Sequence, residues 1–153
     1  MTSSSGHWTV PSAVRTNEYS SNGWKYGQAS SFQFIDLDNQ EYTSGYSIEL
    51  NIHEMYTSDN SNPPFIVYFE NSNQSRTYLT AFPNKLTIGS TTVNRTFIAD
   101  ETYRLEYEAN KLSLYIEDTL IGTTSHNIGN AKIRLATGTS RYCTIKDFKI
   151  KPL

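Results

Sequence analysis

The residue types best suited to catalysis lie between Glu49 and Glu54. This segment reads Glu-Leu-Asn-Ile-His-Glu, so two carboxylates flank an amide and an imidazole. Two carboxyl groups about 5–5.5 Å apart can act as nucleophile and acid/base when a glycosidic bond is hydrolysed with retention. Side chains alternate between the faces of a regular strand, so Glu49 and Glu54 would point to opposite faces unless a β-bulge intervened. We therefore expect a solvated strand face here rather than a catalytic pair.

Metal-ligating residue types are sparse and scattered. The three histidines lie far apart with no metal-ligand spacing, so each is interpreted as a surface or loop residue. Cys143 is the only cysteine, which excludes an internal disulfide and predicts a small buried hydrophobe. Ligands for a hard cation could collect in an oxygen-rich segment after a predicted strand, namely Asp36, Asp38 and Asn39. We predict no required cofactor; a structural Ca²⁺ ion at this segment is the metal candidate, and an ordinary Asx-rich turn is the alternative.

Length and charge bound the class of protein. The chain has 153 residues, enough for a single β-sandwich domain, which we place at residues 8–153; residues 1–7 are predicted to be disordered or tag-like. The formal net charge of −2 argues against a basic nucleic-acid surface and a polybasic membrane contact. No apolar run could span a membrane, and the N-terminus lacks the basic and apolar parts of a signal peptide. We expect no nucleic-acid or membrane partner, and either a chain not exported by that route or an excised domain.

Short β-type runs recur along the whole chain. Residues 46–53 alternate apolar and polar side chains, which is typical of a half-buried strand, and residues 65–69 are continuously apolar, which favours the middle of a sheet. In the last run the apolar spacing slips by one residue at Asp147, which predicts a β-bulge. No segment has sustained helical periodicity. The sequence therefore predicts an all-β fold, a sandwich of two packed antiparallel sheets.

The same alternation predicts the core, because one face of each strand must be buried. The predicted core residues are Phe32, Phe34, Ile48, Leu50, Ile52, Phe65, Val67, Phe69, Leu86, Ile88, Leu105, Leu112, Leu114, Ile116, Ile133, Leu135, Ile145, Phe148 and Ile150.

Three segments resemble the concanavalin A-like (laminin-G-like) jelly-roll domains. They are YSIELNI at residues 46–52, YRLEYEANKLSLYIEDTLIG at 103–122 and IKDFKIKPL at 145–153. The resemblance covers residues 46–153, and residues 8–38 by position only. It implies a sandwich of two curved sheets, and structural calcium occurs in many sugar binders of this fold. The family includes lectins, carbohydrate-binding modules, glucanases and host-binding domains of phage tails and adhesins, so fold alone does not choose the function.

The resemblance also bears on the segment from Glu49 to Glu54. Laminarinase-type glucanases of this fold carry Glu-x-Asp-x-x-Glu on a strand, and here Asn51 stands in the place of the middle acid. Those enzymes are usually much longer than this chain. The resemblance implies a small glucanase that uses Glu49 and Glu54 as one alternative function. We nevertheless predict that the protein is not an enzyme.

The outer faces of the predicted strands mix aromatic and polar side chains. Aromatic rings offer flat apolar area for the C–H faces of sugars, and neighbouring polar groups can bind hydroxyls. The alternatives are that tyrosine simply favours strands and that Trp24 caps one end of the core. The candidate ligand-binding residues are Trp24, Tyr26, Glu49, Asn51, His53, Tyr68, Arg76, Tyr115 and Arg134.

Taken together, these features predict a non-catalytic, lectin-like carbohydrate-binding domain for recognition or adhesion. Its partner would be a polysaccharide or cell-wall glycan of a host, and its location a virion tail or fibre, or another extracellular surface such as an adhesin. The second hypothesis is a structural or assembly domain that contacts virion proteins or self-associates as a trimer.

Overall fold

Fourteen β-strands, all paired antiparallel, form in the residues that the structure describes. This computed structural model describes residues 8–38, 41–59 and 61–153, so the predicted disordered or tag-like residues 1–7 lie outside it. Within these ranges no helix is long and apolar enough to cross a membrane. The strands are β1 (Trp8–Thr9), β2 (Thr16–Ser20), β3 (Gly23–Gly27), β4 (Gln33–Leu37), β5 (Tyr46–Thr57), β6 (Phe65–Glu70), β7 (Arg76–Ala81), β8 (Lys85–Ile88), β9 (Thr91–Asn94), β10 (Thr102–Tyr107), β11 (Lys111–Ile116), β12 (Thr119–Ser125), β13 (Lys132–Thr137) and β14 (Arg141–Pro152).

The strands form two seven-stranded sheets. The front sheet has the order β1-β4-β13-β6-β7-β8-β9, and the back sheet has the order β12-β11-β10-β5-β14-β3-β2. Alternate residues from strands of both sheets join one buried cluster, so the sheets pack face to face. The predicted all-β, two-sheet antiparallel sandwich is confirmed.

Strand alternation places one face of each sheet in the core. On β5, Ile48, Leu50 and Ile52 are buried, and the predicted core is confirmed for all residues except three. Ile150 is only partly buried and packs against the core. Phe32 and Phe34 were predicted wrongly: Phe32 is 45% exposed and Phe34 is only partly buried. The physical reason is the pairing of β4, which turns Ile35 and Leu37 inward and leaves the phenylalanines on the other face.

Two β-bulges adjust which side chains face outward on β5 and β14. The predicted bulge at Asp147 is confirmed, because the register with β5 shifts between Lys146 and Lys149 and Asp147 has a φ of 58°. The extra residue lets Phe148 turn inward. The second bulge lies at His53, where β5 passes from Ile52 to Glu54 while β14 advances by one residue.

Cys143 occupies an interior position of β14. Its side chain is buried, and burial raises the pKa of the thiol to about 12. The thiol therefore stays protonated at neutral pH and behaves as the small buried hydrophobe that the sequence predicts.

Candidate functional site

The nine predicted ligand-binding residues do not share one surface. Tyr68, Arg76 and Arg134 lie on the outer face of the front sheet, which we call the front face. On the back sheet, Glu49, Asn51 and Tyr115 face outward and His53 lies at the bulge. The two remaining residues, Trp24 and Tyr26, are in the core.

Trp24 and Tyr26 are core residues and not surface contacts. Both are 0% exposed. The Trp24 ring packs against Trp8 at 5.8 Å, Tyr19 at 6.0 Å and Tyr26 at 4.5 Å between ring centroids. Its indole Nε1 donates a hydrogen bond to Asn17 Oδ1 at 2.7 Å. The prediction that these two side chains contact a ligand is therefore wrong for this structure, because both are buried in an aromatic cluster.

Four side chains form a row across the middle of the front face. Asp36 on β4 pairs with Arg134 on β13, Arg134 pairs with Tyr68 on β6, and Tyr68 pairs with Tyr78 on β7. Adjacent strands are about 4.8 Å apart, so three intervals give the row a length of about 14 Å. This four-strand row is longer than a single sugar and has the length of a short oligosaccharide.

A fixed charge network underlies the row. Glu70 is deeply buried, with its side chain 4% exposed, and accepts hydrogen bonds from Arg76 Nε and, at 3.0 Å, from Arg134 Nη1. Arg134 Nε also donates to Asp36 Oδ1 at 2.6 Å. Two guanidinium groups are thus balanced by two carboxylates, and each orients the other through charge-assisted bonds. The network presents oriented polar groups with no net charge.

Aromatic rings surround this network. The Phe34 ring centroid lies 3.7 Å from Arg134 Cζ and 5.8 Å from the centroid of Tyr68. Arg76 Cζ lies 5.2 Å from the rings of both Phe34 and Tyr68, and the Tyr78 ring meets Tyr68 edge-on at 5.8 Å. Burial raises the pKa of Tyr68, although the Arg76 charge opposes that effect, so its hydroxyl stays neutral and can donate.

A groove adjoins the row at Arg134. It has a volume of about 440 Å³ and includes Glu70 and Arg134 from the network. Its other lining residues are Glu41, Asn71, Ser72, Gln74 and Lys132. Amide, hydroxyl, carboxylate and ammonium groups therefore line the groove, so both donors and acceptors are available to a polar ligand.

Sequence reasoning missed Phe34, Glu70 and Tyr78 as members of this surface. A signal was available for two of them. Glu70 lies two residues after Tyr68 on one strand, and Tyr78 lies two residues after Arg76, so each pair must share a face. Phe34 carried no such signal, because an apolar residue in a strand predicts a core position.

The calcium candidate does not fit the described side chains. Asp36 accepts from Arg134, so a cation there would have to displace a guanidinium. Asp38 accepts a hydrogen bond from the Tyr42 hydroxyl at 2.9 Å, and Asn39 lies outside the described residues. In residues 8–38, 41–59 and 61–153, no group of three or more His, Cys, Asp or Glu side chains could share a metal ion. The calcium ion stays a prediction without a defined site.

The back sheet carries the second set of candidate residues. The bulge at His53 brings Glu54 to the same outer face as Glu49 and Asn51. Glu54 Oε1 accepts a hydrogen bond from Thr144 Oγ1 at 2.9 Å, and His53 Nδ1 lies 2.9 Å from Asp100 Oδ1. The β-bulge that would place Glu49 and Glu54 on one face is therefore present.

Tyr115 on the same face is covered by a cation. Arg104 Cζ lies 4.3 Å from its ring centroid, and Arg104 is itself paired with Glu106 and Asp118. Asn51 Oδ1 accepts from Thr102 Oγ1 at 3.1 Å. These contacts resemble the solvated charge pairs of an ordinary sheet surface.

Comparisons with known proteins identify the fold. No protein-family model and no curated protein sequence matches the chain. The carbohydrate-binding module CBM66 from Bacillus subtilis matches with a TM-score of 0.68 at 11% identity, over 98% of this chain and 98% of that chain. The Crh5 transglycosylase in complex with NAG matches with a TM-score of 0.66 at 10% identity, over 95% of this chain and 78% of that chain. An alginate lyase from Corynebacterium sp. matches with a TM-score of 0.64 at 9% identity, over 90% of this chain and 81% of that chain. The chain has the concanavalin A-like sandwich fold.

Proposed function

We propose that the protein is a non-catalytic carbohydrate-binding domain whose glycan lies on the front face. The observation that carries this proposal is the placement of Tyr68 and Phe34 directly beside the network of Glu70, Arg76 and Arg134. Sugars have flat C–H faces that pack on rings, and hydroxyls that need oriented donors and acceptors. Both kinds of group meet within one row of strands, beside an open groove.

The rigidity of the network favours binding. Each guanidinium is already held by a carboxylate, so little side-chain entropy is lost when a ligand adds further hydrogen bonds. Because the four charges balance, the network offers its remaining lone pairs and N–H groups without a preference for a charged ligand. This pattern suits sugar hydroxyls.

The shared fold supports the proposal in general terms. One of the matching structures is named a carbohydrate-binding module, and it matches along nearly its whole length. Two others are named as a transglycosylase and an alginate lyase, so the same fold also serves enzymes. We extend the proposal to a polysaccharide or cell-wall glycan of a host, bound at a virion or cell surface.

The Tyr68→Ala variant tests the proposed face. We expect the affinity for a glycan selected from a broad cell-wall and glycan panel to fall at least about tenfold, because loss of a stacked ring removes about 1.4 kcal/mol or more of binding free energy. Isothermal titration calorimetry measures the change.

Tyr115→Ala is the matched control for that experiment. It removes a tyrosine that also lies under an arginine, but on the back sheet. Its affinity should equal that of the unmodified protein. The proposal fails if no glycan binds, or if Tyr115→Ala weakens binding and Tyr68→Ala does not.

A small glucanase is the second candidate function, and the bulge at His53 is the observation that favours it. The bulge puts Glu49 and Glu54 on one face, as a retaining pair requires. If this candidate is right, the protein releases reducing sugar from β-glucans and Glu49→Gln loses at least about a hundredfold in rate. We expect no release from a broad β-glucan panel; release that Glu49→Gln abolishes would establish the enzyme instead.

A further inference from the structure

The aromatic surface of the front face continues beyond the four-strand row. Phe32 lies directly before β4, and its ring meets the Phe34 ring edge-on at 5.1 Å between centroids. Phe34 in turn lies 5.8 Å from Tyr68, a member of the row. The three rings therefore form an unbroken series that leads from the row to Phe32.

Phe32 lies on the side of the row that is opposite to the groove. On β13, Lys132 lines the groove, Arg134 belongs to the row and Ala136 pairs with Phe34 of β4. Residues of one face are two positions apart, or about 7 Å, along a strand. Phe32 comes one such step after Phe34, so about 20 Å separate its level from that of Lys132. The combined surface is therefore longer along the strands than the row is across them.

The Phe32 ring is open to solvent. Phe32 is 45% exposed. Single exposed apolar residues are common on protein surfaces, so exposure alone does not indicate a binding role. This ring differs because it continues a series of aromatic side chains that already adjoins a polar network. Its position indicates a further contact for the same ligand.

Arg141 fixes the Phe32 ring from the protein side. Arg141 is buried, and its Cζ lies 5.7 Å from the centroid of the Phe32 ring. Its Nη1 donates to the Pro63 carbonyl oxygen at 3.3 Å. Gly138 makes room for this arrangement, because a Cβ there would lie 2.6 Å from Arg141 Nη2. The buried guanidinium contacts the ring by a cation–π interaction and leaves its exposed part free, so the ring is oriented before a ligand binds.

We propose that Phe32 is a distal stacking contact for an extended, linear oligosaccharide that runs along the strands of the front sheet. The chain passes from the groove, across the row at Arg134 and Tyr68, to Phe32. This inference rests on the proposed function and specifies its ligand class, a chain of several sugars rather than a single terminal sugar. A short ligand reaches the row and the groove, and only a longer one also packs its C–H face on Phe32.

Chain length is the variable that tests this contact. Isothermal titration calorimetry gives the affinity for a series of oligosaccharides of increasing length, prepared from the best-binding polysaccharide of the panel. Affinity for the unmodified protein should rise with length, and the Phe32 ring should contribute about three- to tenfold to that rise. In Phe32→Ala, short oligosaccharides should bind unchanged and long ones should lose this contribution. Phe32→Trp keeps a ring and should keep the preference for long chains.

Tyr56→Ala is the matched control. Tyr56 is also 45% exposed, and its ring lies 5.1 Å from that of Tyr142, but it belongs to the back sheet. Its removal should leave the affinity for every chain length unchanged. An equal loss for long chains in Tyr56→Ala and Phe32→Ala would overturn the inference, because the effect would not belong to the front face.

The failure of this inference can be distinguished from the failure of the proposed function. If Tyr68→Ala weakens binding at every length and Phe32→Ala weakens it at none, the front face binds glycan without Phe32 and the inference is wrong. An equal loss at all lengths in Phe32→Ala would also overturn it, because the ring would then act within the row. If Tyr68→Ala changes no affinity, the proposed function fails and this inference fails with it.

Discussion

The Trp24→Ala variant is expected to lose about 3–5 kcal/mol of unfolding free energy, the usual cost of truncating a fully buried tryptophan. The ring is 0% exposed and contacts Trp8, Tyr19 and Tyr26, so alanine leaves a cavity that three aromatic neighbours cannot easily fill. Chemical denaturation measures the loss. The corresponding fall in Tm is about 10 °C for a domain of this size.

The control for this variant is Tyr19→Ala. Tyr19 lies on the same aromatic stack but is 57% exposed, so its removal should cost less than about 1 kcal/mol. At a temperature where the Trp24→Ala variant is still folded, the glycan affinity of Trp24→Ala should equal that of the unmodified protein. A stable Trp24→Ala protein that no longer binds glycan would mean that Trp24 is a ligand contact after all.

The second large effect is expected for Glu70→Gln. Glutamine has the same shape but removes the charge that Arg76 and Arg134 share, and it leaves two guanidinium groups facing each other. Removing one partner of a buried ion pair costs about 3–5 kcal/mol, and the partial exposure of Arg76 places the expected loss of stability near about 2–3 kcal/mol. Glycan affinity should fall at least about tenfold, because the donors are no longer fixed.

Glu49→Gln separates this effect from a general loss of charge. Glu49 faces outward on the back sheet and pairs across the strands with Arg104 and Lys149. Its substitution should change stability by no more than about 0.5 kcal/mol and leave glycan affinity unaltered. If Glu70→Gln and the unmodified protein have equal stability and equal glycan affinity, the charge network is not part of the proposed site.

Much of the fold could be predicted from strand periodicity. The alternation in β5 fixes Ile48, Leu50 and Ile52 as interior residues, and the broken spacing at Asp147 marks a true bulge. The failure at Phe32 and Phe34 has a physical cause. The segment Phe-Gln-Phe-Ile-Asp-Leu offers apolar residues to both faces, so only the pairing of β4 with β13 decides which face is buried.

The candidate site was harder to predict because alternation does not reveal which sheet a strand joins. Arg134 and Tyr68 are 66 residues apart in sequence, yet β13 lies beside β6 and brings them together. Tyr115 has the same alternation pattern but belongs to the back sheet. The prediction for Trp24 is wrong for another reason: Trp24 lies opposite the buried Ile145 of β14, so the pairing of β3 with β14 turns its ring into the core, which composition alone does not indicate.

The position of a bound glycan tests the central claim most directly. Backbone amide chemical shifts of the ¹⁵N-labelled protein are followed while the best-binding oligosaccharide from the panel is added. The account predicts that the largest shifts cluster on β4, β13, β6 and β7 around the four-strand row and its groove. Shifts concentrated on β5, β10 and β11 of the back sheet would contradict it.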